Sequence, residues 1–305
     1  MNEPLIKPRG LKPGDHVIVV SPSGLVERSR IETAIEILRS WGLKVSTGRH
    51  TFNHFNIFAG RDGERLSDLQ SALDNKDFAA IFCTRGGYGI SRIIYQLDFS
   101  GLRKHPKWLV GFSDITVLHS AINNQCGLCS MHAPVLNSFM SFSDNDDSLS
   151  RLRTALTSGT VKYSFPSHPL NRSGEARGIL TGGNLSLIYN MRGTPCDINP
   201  ESKILFIEDV GEYLYHLDRM MMNLKNGGIL EKISGLICGG FTEMKDQDRP
   251  FGQTAEEIIS EAVAPYSYPV IFGFPAGHMQ PNYPLIMGAE VNISSQPDKS
   301  SITSY

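Results

Sequence analysis

The chain has 305 residues, about twice the ~150 residues expected of one domain, which predicts two domains or one large one. Apolar residues make up 40% of the chain and charged residues 20%, a balance that excludes a disordered or fibrous protein. With 29 Lys and Arg against 31 Asp and Glu, the formal net charge is −2, which provides no electrostatic footprint for nucleic acid or an anionic membrane.

The N-terminal segment and the cysteines bear on the cellular compartment. Residues 1–15 are rich in proline and charge and contain no apolar core, so no secretory signal is predicted and a cytoplasmic location is expected. No apolar run approaches the ~18 residues of a membrane span. Five cysteines, an odd number, do not predict a disulfide framework, and the Cys126–Cys129 pair lacks the further ligands of a zinc site.

Strands and helices are predicted to alternate through the first part of the chain. Short apolar runs predict strands, and apolar residues spaced three or four apart predict helices. Because strands that alternate with helices form a mainly parallel sheet, we expect an α/β unit with its functional loops at the carboxyl ends of the strands. The predicted strands cover 16–21, 43–47, 79–83 and 108–110, and the predicted helices cover 29–41, 63–75, 91–97 and 114–123.

The pattern changes after residue 137. Residues 137–150, which include Asp144, are polar, and residues 162–177 are rich in Ser, Pro and Asn. We therefore predict a first domain over 1–150, a linker over 151–175 and a second domain over 176–305. In the second domain an apolar stretch follows Gly178, strands are predicted over 203–207, 235–238 and 270–272, and helices over 213–224 and 254–263.

The first candidate for chemistry is Ser113. A strand ends at Val110, Gly111 follows, and Ser113 stands at the turn into a helix. This is the arrangement of a nucleophile elbow, which lifts a hydroxyl above the sheet and offers helix-start N–H groups to an oxyanion. The usual G-x-S-x-G pattern is only half matched, because residue 115 is Ile. Serine is also a favoured helix cap, so an N-cap is the alternative interpretation.

A glycine-rich segment follows the third predicted strand. In residues 85–89, RGGYG, consecutive glycines let the backbone approach a ligand closely and point N–H groups at it. The segment lacks the lysine and spacing of a phosphate-binding loop. An oxyanion donor and a plain tight turn are both open interpretations.

Two further candidates lie in the second half of the chain. The apolar strand over 203–207 is followed by Glu208, whose carboxylate could orient an imidazole or stand in the first turn of a helix. His278 follows a strand in a loop framed by Gly and Pro, which suits a general base, although a loop histidine also serves structural roles. His119 is expected to pack within its helix, and His132 to line a cleft.

In this order, the segments resemble the LD-carboxypeptidase family of serine peptidases, a group that also contains microcin-immunity peptidases. The resemblance runs from residue 11 to about residue 290, and one departure is Ala133, which stands where the family has Gly in a His-Gly-Pro stretch. The segments that carry it are LKPGD (11–15), VVSPS (19–23), RGGYG (85–89), GFSD (111–114), GGNLS (182–186), IED (207–209) and GH (277–278).

The resemblance implies a parallel α/β sandwich as the N-terminal domain and a smaller, β-rich C-terminal domain with helices. It implies a triad built across the two domains, with Ser113 as the nucleophile, His278 as the base and Glu208 as the orienting acid. A triad is defined by its geometry, so the chain order Ser, Glu, His is acceptable. No metal or organic cofactor is required.

The resemblance also suggests how the substrate is held. Backbone N–H groups of Asp114 and of Gly87 or Gly86 would bind the oxyanion. Arg85 is a candidate partner for the free carboxylate that a carboxypeptidase must recognise. The implied substrate is the murein tetrapeptide, from which D-alanine is released in cell-wall recycling.

The expected partner is thus a murein peptide, bound by a homodimer that binds neither nucleic acid nor membrane. One alternative is a peptidase of the same fold that cleaves a peptide-nucleotide or another acylated amino acid. A second is a non-catalytic receptor for a small ligand, which the glycine-rich loops alone would suit. A third is a nucleotide-binding enzyme that uses residues 85–89.

Overall fold

The structure is a computed structural model that describes residues 5–143 and 145–305. Residues 1–4 of the predicted first domain, and Asp144 of the polar segment before the predicted linker, lie outside the described residues. The described helices are α1 (Arg28–Ser40), α2 (Asp62–Asp74), α3 (Ser100–Lys104), α4 (Thr116–Cys126), α5 (Ser148–Ser158), α6 (Leu185–Asn190), α7 (Leu214–Asn226), α8 (Ile229–Lys232) and α9 (Ala255–Val263).

The described strands form two sheets. They are β1 (His16–Val20), β2 (Lys44–Thr47), β3 (Phe78–Cys83), β4 (Trp108–Gly111), β5 (Ser130–His132), β6 (Lys162–Pro166), β7 (Gly174–Asn184), β8 (Ile204–Val210), β9 (Gly235–Thr242), β10 (Val270–Ile271), β11 (Leu285–Met287), β12 (Glu290–Ser295) and β13 (Lys299–Ser304). The predicted mixed α/β class with two packed units is confirmed. Within the described residues, no helix is both long and apolar enough to cross a membrane.

The first sheet has the strand order β2-β1-β3-β4-β5-β11. Its strands from β2 to β5 are parallel, as the alternation of strands and helices predicts. Helix α1 turns Ile31, Ala34, Ile35 and Leu38 toward the core, and these are the positions whose spacing predicts it. Parallel sheets are covered on both faces, which is why β4 is buried along its whole length.

One predicted helix of the first part is wrong. Residues 91–97 form two short 3-10 turns, Ile90–Arg92 and Ile94–Gln96, instead of an α-helix. The segment is too short to nucleate a helix by itself, and the β-branched side chains of Ile90 and Ile94 lower its helix propensity further. The helix predicted over 114–123 begins as a 3-10 turn and continues as α4.

The second sheet has the order β10-β9-β8-β7-β12-β13-β6. It is parallel from β7 to β10 and antiparallel from β7 to β6. The region predicted as a linker contains most of α5, all of β6 and the first residues of β7. Its Ser- and Pro-rich composition fits β6 because this strand lies at the sheet edge, where Pro166 is tolerated. The domain boundaries themselves stay a prediction.

The chain returns to the first sheet near its C-terminus. Strand β11 pairs antiparallel with β5, with Leu285 opposite His132 and Met287 opposite Ser130. Beside this strand pairing, α4 touches the end of β7, where the Asn184 N–H donates to Thr116 Oγ1 at 3.0 Å. These two contacts connect the second sheet to the first.

Gly183 allows the contact between α4 and β7. Its φ is +135°, and a Cβ at this position would lie 2.5 Å from Thr116 Oγ1. We predict that Gly183→Ala lowers the free energy of unfolding by about 2–4 kcal/mol, because backbone strain and steric overlap add. Urea denaturation measures this loss.

Gly193→Ala is the matched control for Gly183→Ala. Gly193 also has a left-handed φ, +74°, but nothing lies within 4 Å of its added Cβ. Strain alone should cost about 1 kcal/mol there. Equal losses in the two variants would contradict the importance of the Thr116 contact.

Candidate active site

Ser113 lies on a strained turn between β4 and α4. Its φ is +66°, a left-handed value that costs a non-glycine residue roughly 1–2 kcal/mol and is typical of a nucleophile elbow. The cap position of the turn is Phe112, in extended conformation, and no side chain caps it. The N-cap interpretation of Ser113 is therefore wrong. Its side chain is partly exposed to solvent.

Asp114 anchors this turn through its side chain. The carboxylate is fully buried, and its Oδ2 accepts hydrogen bonds from Ser23 Oγ at 2.6 Å and from the Ile90 N–H at 3.0 Å. Burial raises the pKa of Asp114, while these two hydrogen bonds oppose the rise. Sequence reasoning identified only the Asp114 N–H and missed this role, although an acid at the start of an otherwise apolar helix is the available signal.

The glycine-rich segment passes directly over Ser113. A Cβ on Gly86 would lie 2.7 Å from Ser113 Cβ and 3.0 Å from its Oγ. The Gly86 carbonyl accepts a hydrogen bond from the Gly24 N–H at 3.0 Å. Because the C=O and N–H of a trans peptide point in opposite directions, the Gly87 N–H faces away from Gly24.

Arg85 begins the same segment. It is exposed, and its Nη1 donates to the Leu25 carbonyl at 3.1 Å. In the described part of the chain this is the only hydrogen bond of its guanidinium, so other N–H donors stay available. The side chain is thus tethered close to Gly86, the glycine that contacts Ser113.

Glu208 and His278 form a tight pair in the second sheet. Glu208 lies inside β8 and is fully buried, so the interpretation of it as a first-turn helix acid is wrong. Its Oε2 accepts the His278 backbone N–H at 3.0 Å and lies 2.7 Å from His278 Nδ1. A proton on Nδ1, donated to the carboxylate, leaves Nε2 as an acceptor.

The two halves of the site meet around one cavity. The rings of Phe112 and His278 are 4.8 Å apart between centroids, and both residues line a cavity with a volume of about 320 Å³. Among the described residues, Ser113 Oγ and His278 Nε2 are not hydrogen-bonded to each other. Catalytic hydrogen bonds are often long without substrate and tighten when it binds.

Carboxylates surround the imidazole and set its charge. Burial lowers the pKa of His278, but the charges of Glu208, Asp209 and Glu243 outweigh it, so the pKa is raised above 6.5. Burial and the Glu208 charge raise the pKa of Asp209 to about 7. The Asp209 carboxylate accepts hydrogen bonds from Asn184, Ser186 and Val210, which joins it to the start of α6.

The other two candidate histidines are structural. His119 packs within α4 as predicted, with Nε2 2.8 Å from the Gly111 carbonyl. His132 does not line the cavity, which corrects the prediction: it is fully buried in β5, an inner strand that β11 covers. Its ring centroid lies 4.9 Å from that of Phe206 and 5.8 Å from that of Phe112. Burial lowers its pKa well below 6.5, so His132 is neutral.

A serine on a strand-to-helix turn and a carboxylate-bound histidine that packs against the residue before that serine are features found in serine hydrolases. Residues 17–133 match the LD-carboxypeptidase N-terminal domain, and residues 177–293 match the LD-carboxypeptidase C-terminal domain. The chain belongs to the LD-carboxypeptidase family of serine peptidases, as its motifs predict, and is an enzyme of that class.

Proteins of similar sequence and structure agree with this assignment. The "Probable murein peptide carboxypeptidase" of Bacillus subtilis is 35% identical, over 95% of this chain and 92% of its own. The crystal structure of muramoyltetrapeptide carboxypeptidase from Oxalobacter formigenes superposes with a TM-score of 0.86 at 31% identity, over 95% of this chain and 98% of that one. The microcin C7 self-immunity protein MccF of Escherichia coli is 25% identical, over 93% of this chain and 90% of its own.

The raised pKa of His278 sets the expected pH dependence. A base must be neutral to accept a proton, so we predict that kcat/KM rises with pH through an apparent pKa above 6.5. Initial rates from about pH 5 to about pH 9 measure this limb, with thermal melts over the same range as a control for unfolding. A profile without an acid limb would contradict His278 as the base.

Proposed function

We propose that the protein is a serine carboxypeptidase that releases the C-terminal D-alanine of the murein tetrapeptide. Ser113, Glu208 and His278 form its triad. The observation that carries the proposal is the bond between the buried Glu208 carboxylate and His278, 2.7 Å long, beside a serine in left-handed conformation. Family membership and the names of the two murein peptidase relatives support the substrate.

The triad residues have separate roles in bond cleavage. His278 Nε2 takes the proton of Ser113 Oγ as that oxygen attacks the scissile carbonyl. Glu208 stabilises the imidazolium that forms and keeps the proton of Nδ1 in place. His278 then gives its proton to the amine of the departing D-alanine, and water hydrolyses the acyl-enzyme with the same base.

Backbone N–H groups would hold the oxyanion. We assign this role to Asp114, the residue after the nucleophile, and to Gly87 or Gly86, whose segment contacts Ser113. The loss of one such donor typically raises the barrier by about 3–4 kcal/mol. The close approach of Gly86 to Ser113, closer than a side chain allows, is what supports the assignment.

Arg85 is proposed to bind the carboxylate of the terminal D-alanine. Its available N–H donors suit a bidentate contact with a carboxylate, and its tether to Leu25 holds it near the oxyanion glycines. A carboxypeptidase needs such a cation because the free carboxylate distinguishes its substrate from an internal peptide bond.

The alternative is cleavage of a peptide-nucleotide or another acylated amino acid with the same triad. The similarity to the microcin C7 self-immunity protein of Escherichia coli favours it as the second candidate.

A cytoplasmic location and a homodimer also stay predictions, which cell fractionation and sedimentation equilibrium test. A membrane-bound or secreted protein, or a monomer in solution, would contradict them.

The direct test is mass spectrometry of a murein tetrapeptide after incubation with the enzyme. We expect the loss of one alanine, and a fall in rate of about 10⁴-fold or more in Ser113→Ala and His278→Ala, because triad members act as a unit. Ser71→Ala, an exposed serine of α2, is the matched control and should keep full activity.

Two results would count against the proposal in this assay. Equal turnover by Ser113→Ala would exclude the mechanism, and cleavage of a peptidyl-adenylate analogue with an intact tetrapeptide would favour the alternative substrate. The close approach of the glycine segment to Ser113 is tested alongside, since the methyl of Gly86→Ala would meet Ser113 and lower kcat while the protein stays folded. Unchanged kcat in Gly86→Ala would contradict this close approach, which is the observation that supports the oxyanion assignment.

The Arg85 proposal predicts a change in substrate preference. Arg85→Gln should raise KM for the tetrapeptide about tenfold, because a charge-assisted hydrogen bond to the substrate carboxylate is lost. A tetrapeptide that ends in D-alaninamide has no such carboxylate, so its KM should be the same for both enzymes. An equal effect on the two substrates would show that Arg85 acts through the fold.

A further inference from the structure

The wall of the cavity next to His278 carries one fixed negative charge, Glu243. This residue follows the last residue of β9, at the carboxyl end of the second sheet. Among the described residues that line the cavity it is the only acid, and His278 is the only other titratable group. The remaining lining residues are apolar or neutral. A ligand in this cavity therefore meets a carboxylate on the side of the second sheet.

The backbone of Glu243 is held in an unusual conformation. Its φ is +52°, in the left-handed region that residues other than glycine rarely adopt. The preceding residue fixes it: Thr242 Oγ1 donates to the His278 carbonyl at 2.7 Å, and the Thr242 carbonyl accepts the Gly211 N–H at 2.9 Å. Strained residues of this kind cluster at ligand sites, where the surrounding structure enforces them.

The Glu243 carboxylate is not used by the fold. In the part of the chain that the structure describes, it makes no hydrogen bond and no ion pair, and it is exposed to solvent. Lys245, the cation two residues further on, lies over an aromatic ring instead of pairing with Glu243: its Nζ is 6.0 Å from the centre of the Tyr213 ring. Burial lowers the pKa of His278, but Glu208 and Asp209 raise it, and Glu243 is close enough to contribute a smaller rise.

We propose that Glu243 binds a protonated primary amine on the acyl side of the substrate, on the residue whose carbonyl Ser113 attacks. This inference rests on the proposed function. The third residue of a murein tetrapeptide is a diamino acid, so one of its amines is in a peptide bond and the other is free. A carboxylate and an ammonium ion form a charge-assisted hydrogen bond. Arg85 would then bind the carboxylate on the leaving-group side of the scissile bond, and Glu243 would bind the ammonium group on the acyl side.

Binding to a variant that cannot turn over the substrate tests this directly. In Ser113→Ala, calorimetry compares a tetrapeptide with a free side-chain amine and the same peptide with that amine acetylated. We expect about tenfold tighter binding of the free amine, and equal binding of the two peptides once Glu243→Gln is added. Glu231→Gln, an exposed acid of α8, is the matched control and should keep the preference.

A second variant separates the loss of charge from damage to the fold. Glu243→Gly removes the same carboxylate and relieves the left-handed strain, so it should lose the preference and melt about 2 °C higher than Glu243→Gln. Equal affinity of Ser113→Ala for the two peptides would overturn the proposal. So would a preference for the free amine that survives both substitutions at Glu243.

The active enzyme shows which of the two proposals fails. D-alanine release without any amine preference in binding would remove the role of Glu243 and leave the carboxypeptidase function. Amine-selective binding without D-alanine release would remove the murein substrate and keep the amine subsite. An aminoacyl compound with a free α-amine is the third ligand: tighter binding of this compound than of the tetrapeptide would overturn the side-chain amine as the bound group.

Discussion

A buried carboxylate needs hydrogen bonds, and among the described residues Glu208 receives them from His278, at its Oε2 oxygen. Placing a charge in the interior of a sheet costs several kcal/mol unless polar partners replace water. One oxygen of Glu208 receives both the backbone N–H and the imidazole of His278. The pairing thus fixes the position of the histidine loop and the tautomer of its ring at the same time, and the chemistry of the site depends on both.

The rest of the fold holds the nucleophile opposite this pair. Strand β11, which follows the histidine loop, joins the first sheet beside β5, and the Thr116 hydroxyl of α4 binds the end of β7. The hydrogen bonds of Asp114 hold the strained turn in place, and those of Asp209 connect β8 to the start of α6. Each of these buried acids therefore positions the proposed catalytic residue beside it. This explains why an acid directly follows both the nucleophile and the orienting glutamate in the sequence.

Local patterns predicted the parallel sheet, most helices and the three proposed triad residues, because periodicity and loop chemistry are local. The elements that were missed depend on distant contacts. Strand β11 has three residues and pairs with a partner about 150 positions earlier in the chain, so nothing nearby marks it as a strand. His132 is buried by packing against side chains such as Phe206, which lies far away in the chain. The left-handed φ of Glu243 has no sequence signal, since glycine is the residue that normally marks such positions.

The proposed mechanism requires Ser113 as the nucleophile and His278 as its Glu208-bound base. Rapid acid quenching during turnover of a murein tetrapeptide, followed by peptide mapping, tests it most directly. We expect a tripeptide acyl group on the Ser113 hydroxyl, formed in the wild type and absent when His278 is replaced by alanine. An acyl group on a different residue, or D-alanine release by a variant that lacks the Ser113 hydroxyl, would contradict it.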